Sequence, residues 1–351
     1  MSSFSIGVDL GGTNLRAAAY SPEAGLQNRI SIPTRLELGP EQVADDLCAL
    51  VKKIRNAAGT AEKLSGICVA APGPLELPSG RFHQPPNLPG WNGFNLREVL
   101  KQNFDVPITL ENDANAAALA EYYLGAGKDL QPRVLCMFTL GTGVGNGIIY
   151  RGRVFNGGHG LAGEGGHITV WPDGAPCGCG NYGCLETYAS ATGIQKGAAE
   201  LSASGNAPGI ASLFAGKPAV TTSDIYDLAV AGDGDAVSLF TRAGQALGIA
   251  IAATINVLDP ELIVLAGGMA EAWPLFSPAM FEELARRSYI YQLTKAPSAF
   301  DSPTIVQKAR LGAEAGLLGA ALYPFLGEER SGFTSPLENP DLTFAARTGV
   351  C

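Results

Sequence analysis

The sequence predicts a mixed α/β protein made of two similar lobes that face one cleft. Short apolar runs typical of buried strands alternate with longer runs that have helical spacing. A strand, a glycine turn and a second strand occupy residues 4–20, and the same pattern returns at residues 134–154, about 130 residues later. The 351 residues suffice for about two domains. A repeat of this kind indicates two lobes of one design.

The first hairpin, residues 9–16 (DLGGTNLR), follows a predicted buried strand at residues 4–10. A strand leaves its glycine turn, whereas a Rossmann fingerprint needs a helix there, and the P-loop pattern is absent from the sequence. An ordinary turn is the simplest interpretation. However, Asp9 ends a buried strand beside a turn whose N–H groups could bind phosphate. We therefore predict that Asp9 holds Mg²⁺ and that nucleotide phosphates bind at Asp9, Gly11, Gly12, Thr13 and Asn14.

The segments up to residue 94 continue the first lobe. A third strand is predicted near residues 28–33, and residues 41–57 have the apolar spacing of an amphipathic helix. A buried strand at residues 66–71 runs into the sequence Ala-Pro-Gly-Pro. Residues 75–94 are rich in Pro and Gly, which predicts a long ordered loop of the kind that carries binding groups.

Polar side chains crowd the point where a predicted strand at residues 107–110 meets a predicted helix at residues 114–124. Glu111, Asn112 and Asp113 occupy this junction. Asp113 alone would be interpreted as a helix cap. Ligands of open α/β sheets, however, bind beyond the carboxyl ends of the strands, so the junction is also a candidate ligand site.

The second hairpin, residues 139–146 (TLGTGVGN), repeats the pattern of the first. Two facing glycine hairpins can grip one polyphosphate with backbone N–H groups in place of lysines. Farther along, a predicted strand at residues 261–265 ends in two glycines, which allow close approach of a flat nucleobase, although a plain strand-to-helix turn is equally compatible. The predicted nucleotide site therefore also includes Gly141, Thr142, Gly143, Gly267 and Gly268.

The Cys/His loop, residues 163–186, carries a complete set of ligands for tetrahedral Zn²⁺. The set consists of one imidazole and three thiols, which belong to His167, Cys177, Cys179 and Cys184. Such a site is closed to a reacting water, so we predict a structural zinc that fixes the carboxylates of Glu164 and Glu186 on one rigid loop. A disulfide pair is the alternative, and no secretory context supports it.

The rest of the chain completes the two lobes. Helical segments are predicted at residues 187–231, broken by Gly and Pro, and at residues 235–258, followed by the strand at residues 261–265. A last strand is predicted at 304–306 and a last helix at 313–326. The expected domains are a small lobe at residues 1–113 completed by helix 313–326, a large lobe at residues 114–312 with the zinc-binding loop, and a tail at residues 327–351.

Composition excludes several classes of protein. The net charge of −9 argues against a nucleic-acid partner, which needs a basic footprint. Four further cysteines, Cys48, Cys68, Cys136 and Cys351, are scattered, and the first three lie in apolar stretches, as in the core of a protein in a reducing cytosol. The N-terminus has no signal-peptide pattern, and the most apolar run is too interrupted to span a bilayer. We therefore expect a cytoplasmic protein with no membrane partner.

Together these segments resemble the ROK family of sugar kinases and sugar-responsive repressors, from DLGGT at residues 9–13 to AGGM at residues 266–269. The most specific motifs are ENDANAA, GEGGH and CGCGNYGCLE, in that order and with the His-x9-Cys-x-Cys-x4-Cys spacing intact. DLGGT and LGTGVG are less specific, because other actin-like ATPases have similar hairpins. Two positions depart from the pattern. Asn14 stands where many members carry lysine or arginine, and Gly165 stands where a larger apolar residue is common.

The resemblance implies two ribonuclease-H-like lobes of the actin-like ATPase fold, with ATP and a hexose in the cleft between them. It also implies a homodimer or homotetramer. By this resemblance Asp113 is the catalytic base. Further residues are implied to bind the sugar, namely Gly73, Asn112, Glu164, His167 and Glu186. His167 could bind zinc through one ring nitrogen and offer the other N–H to the sugar.

The predicted function is that of an ATP-dependent hexose kinase, with glucose as the expected substrate. Kinases for N-acetylglucosamine, N-acetylmannosamine or fructose are alternatives, because the space near the C2 substituent is not visible in a sequence. Polyphosphate is an alternative donor, although no basic cluster favours it. A sugar-binding regulator is a second class, and only three residues precede Phe4, which leaves no DNA-binding module there. A zinc dehydrogenase is opposed by the closed metal site and the missing Rossmann pattern.

Overall fold

The computed structural model describes residues 3–58, 63–77, 79–295 and 303–326. The predicted tail at residues 327–351, with Cys351, lies outside the described residues. Within them the strands are β1 Ser3–Leu10, β2 Asn14–Ser21, β3 Gly25–Pro33, β4 Lys63–Ala71, β5 Leu75–Glu76, β6 Arg81–Phe82, β7 Ile108–Asn112, β8 Val134–Leu140, β9 Val144–Tyr150, β10 Arg153–Val154, β11 Leu262–Ala266 and β12 Ile305–Lys308.

The α-helices of the same residues are α1 Pro40–Ala58, α2 Leu96–Asn103, α3 Asp113–Leu124, α4 Glu186–Ala189, α5 Ala191–Ser204, α6 Pro208–Gly216, α7 Thr222–Val230, α8 Gly234–Leu258, α9 Trp273–Arg287, α10 Tyr289–Lys295 and α11 Ala315–Leu322. Short 3₁₀ turns precede and follow α11, at Gly312–Glu314 and Tyr323–Phe325.

Two five-stranded sheets share one topology. The first has the order β3-β2-β1-β4-β7 and the second the order β10-β9-β8-β11-β12. In each sheet three antiparallel strands formed by hairpins are followed by two parallel strands. The predicted repeat is therefore confirmed at the level of the sheets. The predicted domain boundaries at residues 113 and 312 stay a prediction.

Helices α3 and α11 lie between the two sheets, and small residues let them approach closely. A Cβ added to Gly7 of β1 would meet the backbone of Ala321 in α11 at 2.5 Å. A Cβ added to Gly319 of α11 would meet the Ala116 carbonyl of α3 at 1.7 Å. The first sheet therefore packs on α11, α11 packs on α3, and α3 packs on the second sheet. A second apolar core joins α1 and α2 to the outer face of the first sheet, and a third joins the second sheet to α5–α9.

Helix α8 is long and apolar enough to cross a membrane by length and composition alone. Of its most apolar window, 56% is buried inside the fold, as expected of a core helix. Ala243, Leu247 and Ile251 lie on its buried side, in the core outside the second sheet.

Several details differ from the sequence prediction, which also contained no helix at the positions of α9 and α10. Residues 75–94 contain the short β5–β6 hairpin, which the Pro and Gly content had hidden. Helix α2 was not predicted, although Asn95 caps it through a hydrogen bond from Glu98 N. The last helix is α only from Ala315 to Leu322 and is 3₁₀ on either side. At its C-terminal end Pro324 has no amide hydrogen to continue the α pattern.

Candidate functional site

The first hairpin turns at residues 11–14, between the paired residues Leu10 and Leu15. Gly11 N donates to the Asn14 carbonyl (3.0 Å), and Thr34 braces the turn by donating its hydroxyl to the Gly11 carbonyl (2.7 Å). The tip residues Gly12, Thr13 and Asn14 are exposed. The predicted phosphate turn is thus a rigid, solvent-facing loop at the end of the first sheet.

Asp9 and Arg16 face each other across this hairpin. They are cross-strand partners in the β1–β2 register, and Arg16 Nη2 forms an ion pair with Asp9 Oδ2. Asp9 is only 8% exposed, so burial raises the pKa of its carboxyl, and the Arg16 charge opposes that shift. Arg16 also donates to the Ala313 carbonyl (3.0 Å), in the turn that opens α11. Sequence reasoning missed Arg16, although hairpin pairing opposite Asp9 could have identified it.

The strand–helix junction holds Asn112 and Asp113 at the start of α3. Asn112 Oδ1 accepts hydrogen bonds from the amides of Ala114 (2.9 Å) and Asn115 (3.3 Å), so Asn112 is the helix cap. Asp113, one residue later, accepts from Ala114 N (2.8 Å) and is half-buried. Gly73 adjoins the cap, since a Cβ there would lie 3.2 Å from Asn112 Nδ2. Asn112 is therefore the N-cap, and Asp113 adds one hydrogen bond, through Oδ1, from the amide of Ala114.

Glu111 points away from this junction and is fully buried. Its Oε1 accepts from Asn112 N (2.9 Å) and Asn115 Nδ2 (3.0 Å), and its Oε2 accepts from the Tyr323 hydroxyl (3.0 Å). Burial raises the pKa of the Glu111 carboxyl, and these donors oppose that shift. Glu111 thus anchors the junction to the segment that follows α11.

The second hairpin turns at residues 141–143, between the paired residues Leu140 and Val144. Gly141 N donates to the Gly143 carbonyl (3.0 Å). Gly267 adopts φ +88, and a Cβ there would lie 2.4 Å from the Leu140 carbonyl oxygen. The structure therefore brings the glycines after β11 against the second hairpin, as a joint nucleotide site requires.

The four predicted zinc ligands form one cluster. Their ligand atoms all lie within 4.8 Å of one another, and the cluster is His167, Cys177, Cys179 and Cys184. Cys177 Sγ lies 3.7 Å from His167 Nδ1, and Cys179 Sγ lies 3.7 Å from Cys184 Sγ. Burial raises the pKa of the Cys184 thiol to about 12, and a bound cation would lower this pKa because it stabilises the thiolate. Three soft sulfur donors and one imidazole fit Zn²⁺.

The histidine ring connects this cluster to a carboxylate. His167 Nδ1 faces Cys177, whereas His167 Nε2 lies 3.9 Å from Glu164 Oε2. Glu164 is exposed and His167 half-buried. At the other end of the loop, Glu186 Oε2 accepts a hydrogen bond from Val144 N (2.9 Å), which attaches the Cys/His loop to the second hairpin.

Asp113 lies where these parts converge. Its pKa is raised to about 6, first by burial, then by the negative charges of Asp9 and, less strongly, Glu164. The carboxylate is therefore within electrostatic reach of both the first hairpin and the Cys/His loop. The predicted site residues fall into three groups: the two hairpins with Gly267 and Gly268, the junction with Gly73, and the Cys/His loop, which Glu186 joins to the second hairpin.

The repeated sheets, the glycine hairpin in each lobe and the cleft between them define the actin-like ATPase class of fold. The sequence model of the ROK family matches residues 5–324. The chain therefore belongs to the ROK family.

Individual relatives support this membership. A glucokinase of Halalkalibacterium halodurans is 35% identical over 90% of this chain and 92% of its own length. An N-acetylmannosamine kinase of Escherichia coli is 33% identical over 92% of this chain and 99% of its own length.

Solved structures agree on the fold. A ROK glucokinase of Streptomyces griseus in complex with glucose and AMPPNP is 28% identical with a TM-score of 0.73, over 93% of this chain and 100% of that one. A ROK transcriptional regulator, described as a homologue of the Escherichia coli MLC protein, is 26% identical with a TM-score of 0.75 and covers 93% of this chain and 78% of its own. The family thus includes kinases and regulators of one architecture.

Proposed function

We propose that this chain is an ATP-dependent sugar kinase that transfers the terminal phosphoryl group of ATP to the 6-hydroxyl of glucose. One observation carries the proposal. Asp113 follows β7 directly after the capping residue Asn112, with a pKa raised to about 6 by burial and by the charges of Asp9 and Glu164. A carboxylate poised near neutral pH at such a place suits a general base.

Asp113 would act on the sugar hydroxyl. A hydroxyl is a weak nucleophile until its proton is removed in the transition state. The hydroxyl oxygen attacks the γ-phosphorus, its proton passes to an Asp113 carboxylate oxygen, and the bond to the β–γ bridging oxygen breaks to release ADP. The raised pKa makes Asp113 a better proton acceptor than an ordinary surface aspartate while it stays ionised at pH 7.

The nucleotide would lie across the two hairpins. Gly11, Gly12, Thr13 and Asn14 would meet its phosphates from one lobe, and Gly141, Thr142 and Gly143 from the other. Gly267 and Gly268 would allow the nucleobase to approach the second hairpin. Asp9 is the carboxylate that would hold Mg²⁺, which when bound neutralises charge on the transferring phosphoryl group.

The sugar would lie against the Cys/His loop. Carboxylates and the Asn112 amide bind neighbouring hydroxyls well, because each accepts from, or bridges, two of them. Glu164 is exposed beside His167, whose Nε2 faces Glu164 rather than the sulfur cluster. A zinc ion at the cluster would fix the ring tautomer, so that Nε2 carries the proton offered to the sugar.

The preference for glucose rests on the identity to glucokinases. The N-acetylmannosamine kinase relative, at 33% identity, is the observation that favours a second candidate substrate. A sugar-binding regulator is the less favoured class, because the candidate base and both phosphate hairpins are present in this chain. We also propose that the protein is cytoplasmic, has no nucleic-acid or membrane partner and forms a homodimer or homotetramer. Light scattering of the purified protein tests the oligomeric state.

A coupled assay of ADP release, with ATP and Mg²⁺ over a panel of hexoses, tests the function. We expect the highest kcat/KM for glucose, with N-acetylglucosamine, N-acetylmannosamine and fructose lower. A higher kcat/KM for N-acetylmannosamine would retain the kinase class and reject glucose. Binding of sugars without phosphorylation of any of them would favour a regulator.

Metal analysis tests the proposed zinc. We expect about one Zn²⁺ per chain, and we expect Cys177→Ala to lose the metal together with most activity, because ligand loss frees the loop that holds Glu164 and Glu186. Cys136→Ala, at a buried thiol outside the cluster, is the control that should retain the metal. A metal-free wild-type protein with full activity would reject the zinc site.

A further inference from the structure

The two hairpins differ in charge. Residues 9–16 read DLGGTNLR and residues 139–146 read TLGTGVGN. Arg16 is therefore the one cation within the sixteen residues that form the two phosphate turns and their flanks. A nucleotide that reaches these turns brings several negative charges, and backbone N–H groups alone carry only partial positive charge.

The Arg16 side chain is held on two sides. One nitrogen forms the ion pair with Asp9, and Nη1 donates to the Ala313 carbonyl (3.0 Å) in the turn before α11. A guanidinium carries several N–H donors in a fixed fork, so these two bonds leave donors available. The side chain is 36% exposed, whereas that of Asp9 is 11% exposed, so the accessible part of the pair is the cation.

Arg16 is also on the correct face of its strand. Leu15 is fully buried, and side chains alternate along β2, so Asn14 and Arg16 lie on the opposite face from Leu15 and adjacent to each other. Asn14 is exposed at the turn itself. A cation at position 14 or at position 16 would therefore present its charge to the same part of the first hairpin.

We propose that Arg16 is a positioning residue for nucleotide binding. Its guanidinium orients the Asp9 carboxylate and supplies the positive charge that the β- and γ-phosphates meet at the first hairpin. This inference rests on the proposed kinase function and adds to it the single cation of the two hairpins. The simpler alternative is that Arg16 only ties β2 to the turn before α11.

A matched control separates these two roles. Arg29 of β3 forms an exposed ion pair with Glu314, in the same 3₁₀ turn that contains Ala313. Arg29→Met therefore removes a cation that ties the first sheet to this turn without removing one from the hairpin. Arg16→Met removes both the tie and the proposed phosphate charge.

The experiment compares Arg16→Met, Arg16→Lys, Arg29→Met and the double variant Arg16→Met/Asn14→Lys. The measurements are the Kd of AMPPNP with Mg²⁺ by calorimetry, the KM values for ATP and glucose, and the melting temperature of the nucleotide-free protein. We expect Arg16→Met to weaken AMPPNP binding and raise the KM for ATP by about 10- to 100-fold, the worth of one charged hydrogen bond. The KM for glucose should change less than about twofold.

The AMPPNP affinity of the other variants should follow the positive charge that each carries at positions 14 and 16. Arg16→Lys should be intermediate, because an ammonium lacks the fork that engages Asp9 and a phosphate together. The added lysine of the double variant should recover roughly fivefold of the lost AMPPNP affinity, because it restores a point charge on the same face. Arg29→Met should leave all nucleotide parameters unchanged.

Three results would overturn the inference: unchanged AMPPNP affinity in folded Arg16→Met, an equal effect of Arg29→Met, or no recovery by the lysine at position 14. If Arg16→Met does not fold, Arg16→Lys and Arg16→Gln decide, since only the glutamine removes the charge. The proposed function fails separately, if the wild type binds AMPPNP through Arg16 and phosphorylates no hexose.

Discussion

The two hairpins occupy the same place in their sheets, with a four-residue turn in the first and a three-residue turn in the second. Turn residues 11–14 and 141–143 each follow a buried leucine at the end of the first strand of a sheet. Behind the first turn stands the charged pair Asp9 and Arg16, and behind the second stand the paired residues Thr139 and Gly145. The lobes therefore share a strand–turn–strand pattern at the two proposed phosphate turns, while the side chains beside the turns differ.

Helix packing explains this divergence. A Cβ on Gly145 would lie 2.5 Å from Thr139 Oγ1 and 3.0 Å from Ala114 Cβ, because α3 lies against β9 at this level. No long side chain fits there. In the first sheet the close helix contact falls on Gly7 of β1 instead, so β2 has room for Arg16. The second hairpin takes its carboxylate from outside, as Glu186 accepts from Val144 N.

The largest expected effect comes from Asp113, which lies within electrostatic reach of Asp9 in the first hairpin and of Glu164. Asp113→Asn keeps the shape and removes the proton acceptor, so kcat should fall by about 10²–10⁴-fold with a modest change in glucose affinity. Steady-state kinetics and glucose binding by calorimetry measure this. Asn112 already caps α3, so loss of a cap cannot explain such a fall. Near-normal kcat in the folded variant would move the base to Glu164.

The pH dependence of the same carboxyl gives the second effect. Because the base must be ionised, kcat/KM should decline as pH falls below about 6. The pKa of Asp113 in the folded protein lies above the ordinary value of 3.8, so ionised Asp113 lowers the free energy of unfolding above about pH 6. This loss of stability disappears as the pH falls from about 6 to 3.8. Asp113→Asn should therefore raise the melting temperature at pH 8 and leave it unchanged at pH 4. An acid limb retained by Asp113→Asn would contradict this assignment.

The third prediction tests the outside support of the second hairpin. A Cβ on Gly143 would lie 2.4 Å from Glu186 Oε2, so Gly143→Ala should break the bond to Val144 N and cost about 1.5–3 kcal/mol of unfolding free energy. Gly141→Ala is the control in the same turn, because among the described residues other than its two chain neighbours none has an atom within 4 Å of the added Cβ. Urea titrations of the nucleotide-free proteins compare the two. Equal losses would show that Glu186 does not support this hairpin.

Sequence patterns predicted most of the strands, turns and site residues that these experiments test. Buried runs and glycine turns located β1, β2 and β8 within one residue at each end, and the second hairpin was expected within residues 134–154, because alternation and turn chemistry are local. The pairing of Asp9 with Arg16 depends on strand register, which only the folded hairpin sets.

Orientation at the junction could not be predicted for a related reason. Glu111 and Asp113 are two residues apart, yet one enters the core and the other faces the cleft, because the chain changes from strand to helix between them. Glu111 also accepts a hydrogen bond from Tyr323, which is far away in the sequence, and no local sequence pattern predicts that pairing.

The smallest expected effect comes from the hydrogen bond between Tyr323 and Glu111, which joins β7 to the segment after α11. Tyr323→Phe removes the donor to buried Glu111 and should lower the free energy of unfolding by about 1–2 kcal/mol. Tyr20→Phe is the control, since among the described residues the Tyr20 hydroxyl has no hydrogen-bond partner, although the ring is similarly buried. Equal losses in the two variants would indicate ring packing rather than the hydroxyl.

Helix α11 has a consequence for the order of folding during translation. It covers β1 through Ala321 and Gly7, so β1 leaves the ribosome long before the helix that covers it is synthesised. One apolar face of the first sheet therefore stays uncovered while the second sheet and its helices are synthesised. A nascent chain of this protein would need to shield that face, and a ribosome stalled before residue 315 would display it to chaperones.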